Sequence, residues 1–315
     1  MDFITGFFLG PWSSAFFIGN MLDYTALLIA AGLASAIAFR AGLFNIGLEG
    51  QIYAGGMAAG ALLITAGTDT LFPAIFLLCA AALVAMLCGA LMGLISGLLK
   101  VYTGASEIIS SFLLASALNP FVDYCITGPL RDSSGNLLAS KPLGENLLLM
   151  RLLPPSNLSI SLILALLLPL IVYIFINKTA AGYRFRIAGI SPEFARYGGI
   201  NAEQYWIPAL ALSGALGALT GFFAVTGSYG IVHQGFSGGI GWAGLAVALI
   251  ARKRPLAVIP AALFYAYLRA GAENILLTRG VGFNTTEIIK ALVLILATIK
   301  LGKMRNKKSI FVKMM

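Results

Sequence analysis

Residues 71–99 contain no Asp, Glu, Lys, Arg or His. In hydrocarbon every backbone N–H and C=O must find a partner inside its own segment, so such a stretch forms a helix. At about 1.5 Å per residue it is longer than the roughly 30 Å core of a bilayer. It must tilt or kink, and Pro73 and Gly89 offer places to do so. Further apolar runs lie at 21–39, 44–66, 107–127, 158–177, 205–227, 236–251, 255–272 and 287–301. Residues 3–18 form a tenth span or an interfacial segment, because Gly10-Pro11 and Gly19-Asn20 interrupt them; they lack the basic start of a signal peptide. The expected fold is all-α, a polytopic transmembrane helical bundle of about nine or ten spans. One domain covers 1–315, since the longest outer loop, 128–157, is too short to hold a core of its own.

Composition agrees. The chain is 59% hydrophobic and 10% charged, with a mean hydropathy of +0.92, against about 25% charged residues in soluble domains. The net charge of +9 does not point to nucleic acid, because the basic residues are spread over short loops and the tail. Placing the loops near 40, 100–106, 178–204 and 251–254, with the C-terminal tail, on one side gathers fifteen of the 21 Lys and Arg there. The positive-inside bias makes that side cytoplasmic and 128–157 external. Lys290 remains inside a span.

One apolar region carries unexpected polarity. Within 39–60 stand Arg40, Asn45, Glu49 and Gln51, among glycines that include Gly42, Gly47 and Gly50. Irregular backbone at membrane depth is tolerated where protein or a watery cavity satisfies it, and small residues let helices approach closely. A carboxylate at that depth is costly and is a functional candidate by default. The expectation is a broken or closely packed helix beside a substrate pathway, with Asn45, Gly47, Glu49, Gln51 and Asn119 as its candidate residues. The competing expectation is a wet loop at the membrane surface from Arg40 to Glu49. Phe44, Tyr53, Phe112 and Tyr124 can stack on a ring, and Asn45, Gln51 and Asn119 can bond hydroxyls; all of them can equally pack between helices.

The largest cytoplasmic loop, 178–204, contains its own helix signals. Ser191 suits an N-cap, Pro192 the first helical position and Glu193 the positive helix start, while Gly198-Gly199 supplies a stop. These signals predict a helix over about 192–197, roughly 9 Å long, with Phe194 and Tyr197 available to a partner. Arg184, Arg186, Glu193 and Arg196 flank them.

An internal echo, Glu107-Ile-Ile against Glu287-Ile-Ile, lies five spans apart, as an inverted repeat of about five helices would place it; chance gives the same match. The chain has no G-x-x-x-x-G-K-[ST] sequence, a single histidine, His233, and three cysteines, Cys79, Cys88 and Cys125, without metal spacing. No catalytic or metal site is expected. An ion-coupled secondary transporter would need intramembrane ionisable groups, for which Glu49, Asp123 and Lys290 are the candidates. An intramembrane enzyme lacks its constellation.

Three blocks carry a family resemblance: Gly42-Leu43-Phe44-Asn45-Ile46-Gly47-Leu48-Glu49-Gly50-Gln51, then Gly182 to Gly189 with Ala195 to Ile200, and Gly244 to Leu249 before Arg252 and Pro255. They resemble permease subunits of ABC importers, in the branch that includes branched-chain amino acid, ribose and nucleoside permeases. The N-I-G-x-E-G form is most similar to the nucleoside and simple-sugar group. Tyr183 and Phe185 are bulkier than that family's usual residues. The resemblance implies import of a nucleoside or simple sugar and no cofactor on this chain, with ATP hydrolysed on a separate cytoplasmic ATPase docked at Arg184, Arg186, Glu193, Phe194, Arg196 and Tyr197. It also implies a second permease subunit, identical or different, an extracytoplasmic substrate-binding protein, and a place in the bacterial cytoplasmic membrane.

Overall fold

A computed structural model describes residues 3–67, 71–279 and Ala291. The span expected at 287–301, with Lys290 and the second copy of the echo at Glu287, and the C-terminal tail lie outside the described residues.

The chain opens with a short helix, α1 (Phe3–Leu9), and a turn at Gly10–Trp12. Then α2 (Ala15–Arg40) starts from Ser14, whose hydroxyl accepts the Phe17 N–H. It passes unbroken through Gly19-Asn20. Residues 3–18 are therefore not a tenth span: seven residues reach only about 10 Å. The Tyr267 hydroxyl donates to the Phe8 carbonyl at 2.8 Å and holds this segment against α11 (Val258–Arg279).

Between them lie α3 (Leu48–Ala66), α4 (Leu71–Thr103), α5 (Glu107–Thr127), α6 (Ser161–Lys178), α7 (Ala180–Ile190), α8 (Pro192–Tyr197), α9 (Glu203–Phe223) and α10 (Ile240–Ile250). Among the described residues six helices are long and apolar enough to cross a membrane: α2, α4, α5, α6, α9 with its π-helical extension Ala224–Tyr229, and α11. The long run at 71–99 is one continuous helix. Pro73 sits in its first turn, where a missing N–H has no helical acceptor to lose.

The expected span at 236–251 is corrected. Only Ile240–Ile250 is helical, about 16 Å, or half the bilayer core. Gly235, Gly238 and Gly239 take left-handed φ values of 72°, 48° and 81° ahead of it and break the helix.

The central stretches of α2 and α9 are 89% buried, whereas those of α4, α5 and α6 are 22%, 17% and 28% buried. Side chains such as Leu87, Leu91, Ile109 and Ile171 stand on the outside. Two apolar helices wrapped by others, with an apolar rind, is the arrangement lipid favours, because the outer face loses nothing by meeting acyl chains.

The two ends differ in charge. Arg40 Nε donates to the Lys253 carbonyl at 2.6 Å, Lys100 pairs with Glu107 at 2.7 Å, and Gly189 touches the Arg40 backbone. With the Phe44 N–H pointing at the Glu107 carboxylate, these contacts gather the loops near 40, 100–106, 178–204 and 251–254 at one end. At the other end the long loop folds back on the π turn and on residues 230–232. Leu149, Leu143 and Ser140 donate backbone N–H bonds to Thr226, Gly230 and Val232, each at 2.9 Å. The Asn157 N–H reaches Asn20 Oδ1 at 3.0 Å.

Candidate functional site

After α2 the chain turns at Ala41-Gly42 and re-enters the bundle. Leu43 and Asn45 are each 1% exposed, while Gly42 and Phe44 are exposed, so this stretch has one face in the bundle and one outside it. The expected span at 44–66 is helical only from Leu48. The re-entrant residues satisfy their backbone against neighbouring helices. The Phe44 N–H points at the Glu107 carboxylate and the Ile46 N–H at the Ser111 hydroxyl, at 3.4 and 3.2 Å.

Asn45 and Gln51 meet. Asn45 Nδ2 donates to Gln51 Oε1 at 2.8 Å and to Ser213 Oγ at 2.9 Å, while Gln51 Nε2 donates back to Asn45 Oδ1 at 3.3 Å. Both side chains are 1% exposed. Their hydrogen-bonding capacity is turned inward and ties the re-entrant turn to α3 and α9. Gly47 lies so close to α5 that a Cβ there would strike the Ser111 carbonyl.

Glu49 has a definite task. Its carboxylate accepts the N–H of Gly239 at 2.8 Å and of Gly241 at 2.7 Å, at the start of α10. These are orphan donors of a helix N-terminus, at its positive end. A helix that begins inside the bundle needs such a partner, and the carboxylate supplies it from the first turn of α3.

Asn119 stays apart from that network, and its buried Oδ1 has no hydrogen-bond partner among the described residues. Phe112 and Tyr124 stand exposed on α5, and Phe44 is exposed beside Phe39 with ring centroids 4.8 Å apart. Tyr53 is buried against Phe236. Its hydroxyl donates to Asp123 and accepts the Gly235 N–H at 2.9 Å.

The 178–204 loop is more ordered than the sequence suggests. Its first part is a helix, α7, capped by Thr179, whose hydroxyl accepts the Gly182 N–H at 3.0 Å. The expected helix at 192–197 is α8; Ser191 Oγ accepts the Phe194 N–H at 3.3 Å, and the Gly198 N–H closes on the Phe194 carbonyl at 3.2 Å. Ala195 is buried, while Phe194 is 65% and Tyr197 93% exposed. Arg196 pairs with Glu203 at 2.7 Å, Arg186 donates to Asn177 Oδ1 at 2.8 Å, and Arg184 and Glu193 are exposed. Gly189 allows α7 to press on the end of α2, since a Cβ there would strike the Arg40 carbonyl. So α8 is joined through α7 to the turn that begins the re-entrant segment.

A second polar centre lies near the opposite end and was not among the sequence candidates. Between α2, α11 and the π turn is a cavity of about 250 Å³. Asp23, 6% exposed, accepts from Ser228 Oγ at 2.6 Å on Oδ2, while its buried Oδ1 has no partner among the described residues. Arg269 lies 3.8 Å above the Tyr24 ring and pairs with Glu273 at 2.6 Å. Both Asp23 and Arg269 fall inside runs already read as spans, which is the signal that could have singled them out; the intramembrane ionisable groups are not confined to Glu49, Asp123 and Lys290.

These features describe a multi-pass helical membrane protein with a re-entrant turn, a half-span and a helical hairpin at its basic end. Residues 17–298 match the family described as branched-chain amino acid transport system / permease component. The chain belongs to that family and is a permease of the ABC transport type. It is 35% identical over 295 residues to the probable riboflavin import permease protein RfuC of Treponema pallidum, covering 93% of this chain and 77% of that one. It is 29% identical to the guanosine ABC transporter permease protein NupP of Bacillus subtilis, covering 95% and 87%. It is 30% identical to the glucose ABC transporter permease protein TsgB13 of Haloferax volcanii, covering 91% and 77%. The fold is similar to that of a chain in "PsaBC from Streptococcus pneumoniae in complex with Fab", with a TM-score of 0.55, 14% identity, and coverage of 98% and 99%.

Proposed function

We propose that this chain is one of two different permease subunits of an ATP-driven importer for nucleosides or similar glycosyl or ribityl heterocycles, seated in the bacterial cytoplasmic membrane. The observation that carries the energy source is α8, a capped helix outside the spans with two exposed aromatics. A chain without a phosphate-binding loop must receive work through such a contact. The ATPase docks on α8, with Phe194 and Tyr197 as anchors and Arg184, Arg186, Glu193 and Arg196 around them. ATP is bound there and not by this chain. An extracytoplasmic binding protein delivers substrate at the end formed by 128–160. Asn45, Gly47, Glu49, Gln51 and Asn119 shape the pathway, the first four by fixing the re-entrant turn and the half-span.

The substrate reading rests on relatives named for riboflavin, guanosine and nucleosides. Two different subunits are supported by paired relatives. Bacillus subtilis supplies NupP and NupQ, Lactococcus lactis NupB and NupC, and Haloferax volcanii TsgB13 and TsgC13. In each pair the match covers 91–95% of this chain for the first and 79–81% for the second. A second reading, a simple-sugar permease, is favoured by the 30% identity to the glucose permease.

Uptake by proteoliposomes holding both permeases and the ATPase, with the binding protein outside, separates the readings. ATP-dependent accumulation of radiolabelled guanosine or riboflavin, unaffected by excess glucose or ribose, is expected. Competition by the sugars alone would establish the second reading. Uptake that an ionophore abolishes while ATP is present would remove the ATP-driven reading.

A further inference from the structure

The outer faces of α4, α5 and α6 are not alike. Every exposed residue of α4 from Pro73 to Leu99, and of α6 from Ile163 to Phe175, is apolar. The outer half of α5 is different. Ser116 is exposed, and Asn119 and Asp123 are half-buried; at positions i, i+3 and i+7 they share one helix face over about 10 Å. Pro120, exposed beside them, has no N–H to give the Ser116 carbonyl. Asp123 is fixed in place. The buried Tyr53 donates its hydroxyl to Asp123 Oδ1 and accepts the Gly235 N–H at 2.9 Å. Asp123 Oδ2 takes no donor among the described residues and is not enclosed. Asn119 makes no hydrogen bond among the described residues. Its Oδ1 is buried where a Cβ on Gly50 would come within 3.2 Å, and the other end of its amide is open. Four residues apart on one helix, the two side chains are neighbours, with Cβ atoms about 5–6 Å apart. Polar groups with unused hydrogen-bonding capacity face acyl chains only at a cost, so this face of α5 meets water or a polar ligand. Its Asp123 end lies beside Gly235 and the outer loop, where the Gln234 N–H bonds the Leu138 carbonyl at 2.9 Å.

We propose that Asp123 and Asn119 form a substrate subsite, in which Asp123 Oδ2 accepts one hydroxyl of a ribose or ribityl chain and the open end of the Asn119 amide bonds the next. A hydroxyl both donates and accepts, so neighbouring hydroxyls suit a carboxylate and an amide side by side. Guanosine and riboflavin differ in their rings, but both carry such hydroxyls. The proposal rests on the reading of the chain as an importer of these compounds.

The test is ATP-driven uptake by proteoliposomes holding both permeases and the ATPase. Wild-type binding protein stands outside in every arm, and each probe saturates it, so its own discrimination drops out. The probes are guanosine with its 2′-deoxy and 3′-deoxy forms, and riboflavin with lumiflavin, which lacks the ribityl chain. The wild type should import at least one parent about tenfold or more faster than an analogue, as expected for losing a hydrogen bond to a charged group. Asp123→Ala should slow the parent until the two rates lie within about twofold, and Asp123→Asn, which keeps a neutral acceptor, should fall between. Asn119→Ala breaks no hydrogen bond among the described residues, so it should assemble as wild type and lower the same ratio about threefold or more; it carries the test if Asp123→Ala fails to assemble. Equal rates for parent and analogue in the wild type overturn the proposal without any variant. So do variants that slow parent and analogue alike, or neither. Release of the second permease by Asn119→Ala would make the stripe a subunit contact and overturn it too. If wild-type liposomes import guanosine or riboflavin while these ratios do not move, this site alone is wrong. If they import neither, the substrate reading and the site fall together.

Discussion

The polar centre around Asn45 and Glu49 and the one around Asp23 are built from similar groups and end in opposite states. In the first, each amide meets another and the Glu49 carboxylate takes two backbone N–H groups. In the second, one buried carboxylate oxygen has no donor among the described residues, and Asp23 and Arg269 both line a cavity. Buried polarity that is fully satisfied fixes a backbone; buried polarity left partly unsatisfied beside space awaits something. Substitutions in the first centre should therefore act on assembly and stability. Those in the second, where the carboxylate is only half satisfied, should change stability less.

The largest effect is expected from Gly47→Leu. The side chain would enter the space held by the Ser111 carbonyl, separating α3 from α5, and uptake should be lost although the chain still inserts. Wild-type uptake by this variant would remove Gly47 from the account. Glu49→Ala should come next. It strands the Gly239 and Gly241 N–H groups at the start of a buried half-span, a loss of about 3 kcal/mol or more for two bonds to a charge. Thermal unfolding of the detergent-solubilised complex should show a clear drop in Tm, and an unchanged Tm would show that α10 does not depend on this cap. Asn45→Ala leaves Gln51 and Ser213 short of a partner, at about 1–3 kcal/mol; the same melt measures it. At the small end lies Asp132 in the outer loop, which belongs to neither centre. The Ser134 hydroxyl and backbone N–H hold its carboxyl below the ordinary range. A depressed carboxylate favours the folded loop above its unfolded pKa and loses that as pH falls through the folded value. Ser134→Ala should raise the Asp132 value toward the ordinary one, read by NMR titration of the labelled side chain, with no change in transport.

Legibility in the sequence tracks the range of the interactions. The boundaries of α8 could be read because Ser191, Pro192 and Gly198-Gly199 act within a few residues of one another. The half-span could not. An averaged hydropathy over 236–251 does not register three left-handed glycines, nor a capping carboxylate far away in the chain at Glu49. The helical character of α7 was hidden by its mixed composition; it is held by close packing of Gly182 on α6 and Gly189 on α2, which local propensity does not contain. Asp23 and Arg269 were overlooked for a different reason: each looks like a charge at the edge of a span, and only the fold brings them to one cavity.

The central claim is that work from a separate ATPase enters through α8 and passes by α7 to the re-entrant turn. Phe194 and Tyr197 are exposed, so their removal should leave the permease itself as stable as wild type within about 0.5 kcal/mol. As anchors in a partner groove they should each cost about 2 kcal/mol or more in docking. The direct measurement is made on Phe194→Ala with Tyr197→Ala in the reconstituted complex, by copurification of the ATPase and substrate-stimulated ATP hydrolysis. Both should fall sharply while the permease remains in the membrane at its normal level; wild-type copurification and stimulation in the double variant would contradict the assignment of α8 as the docking element.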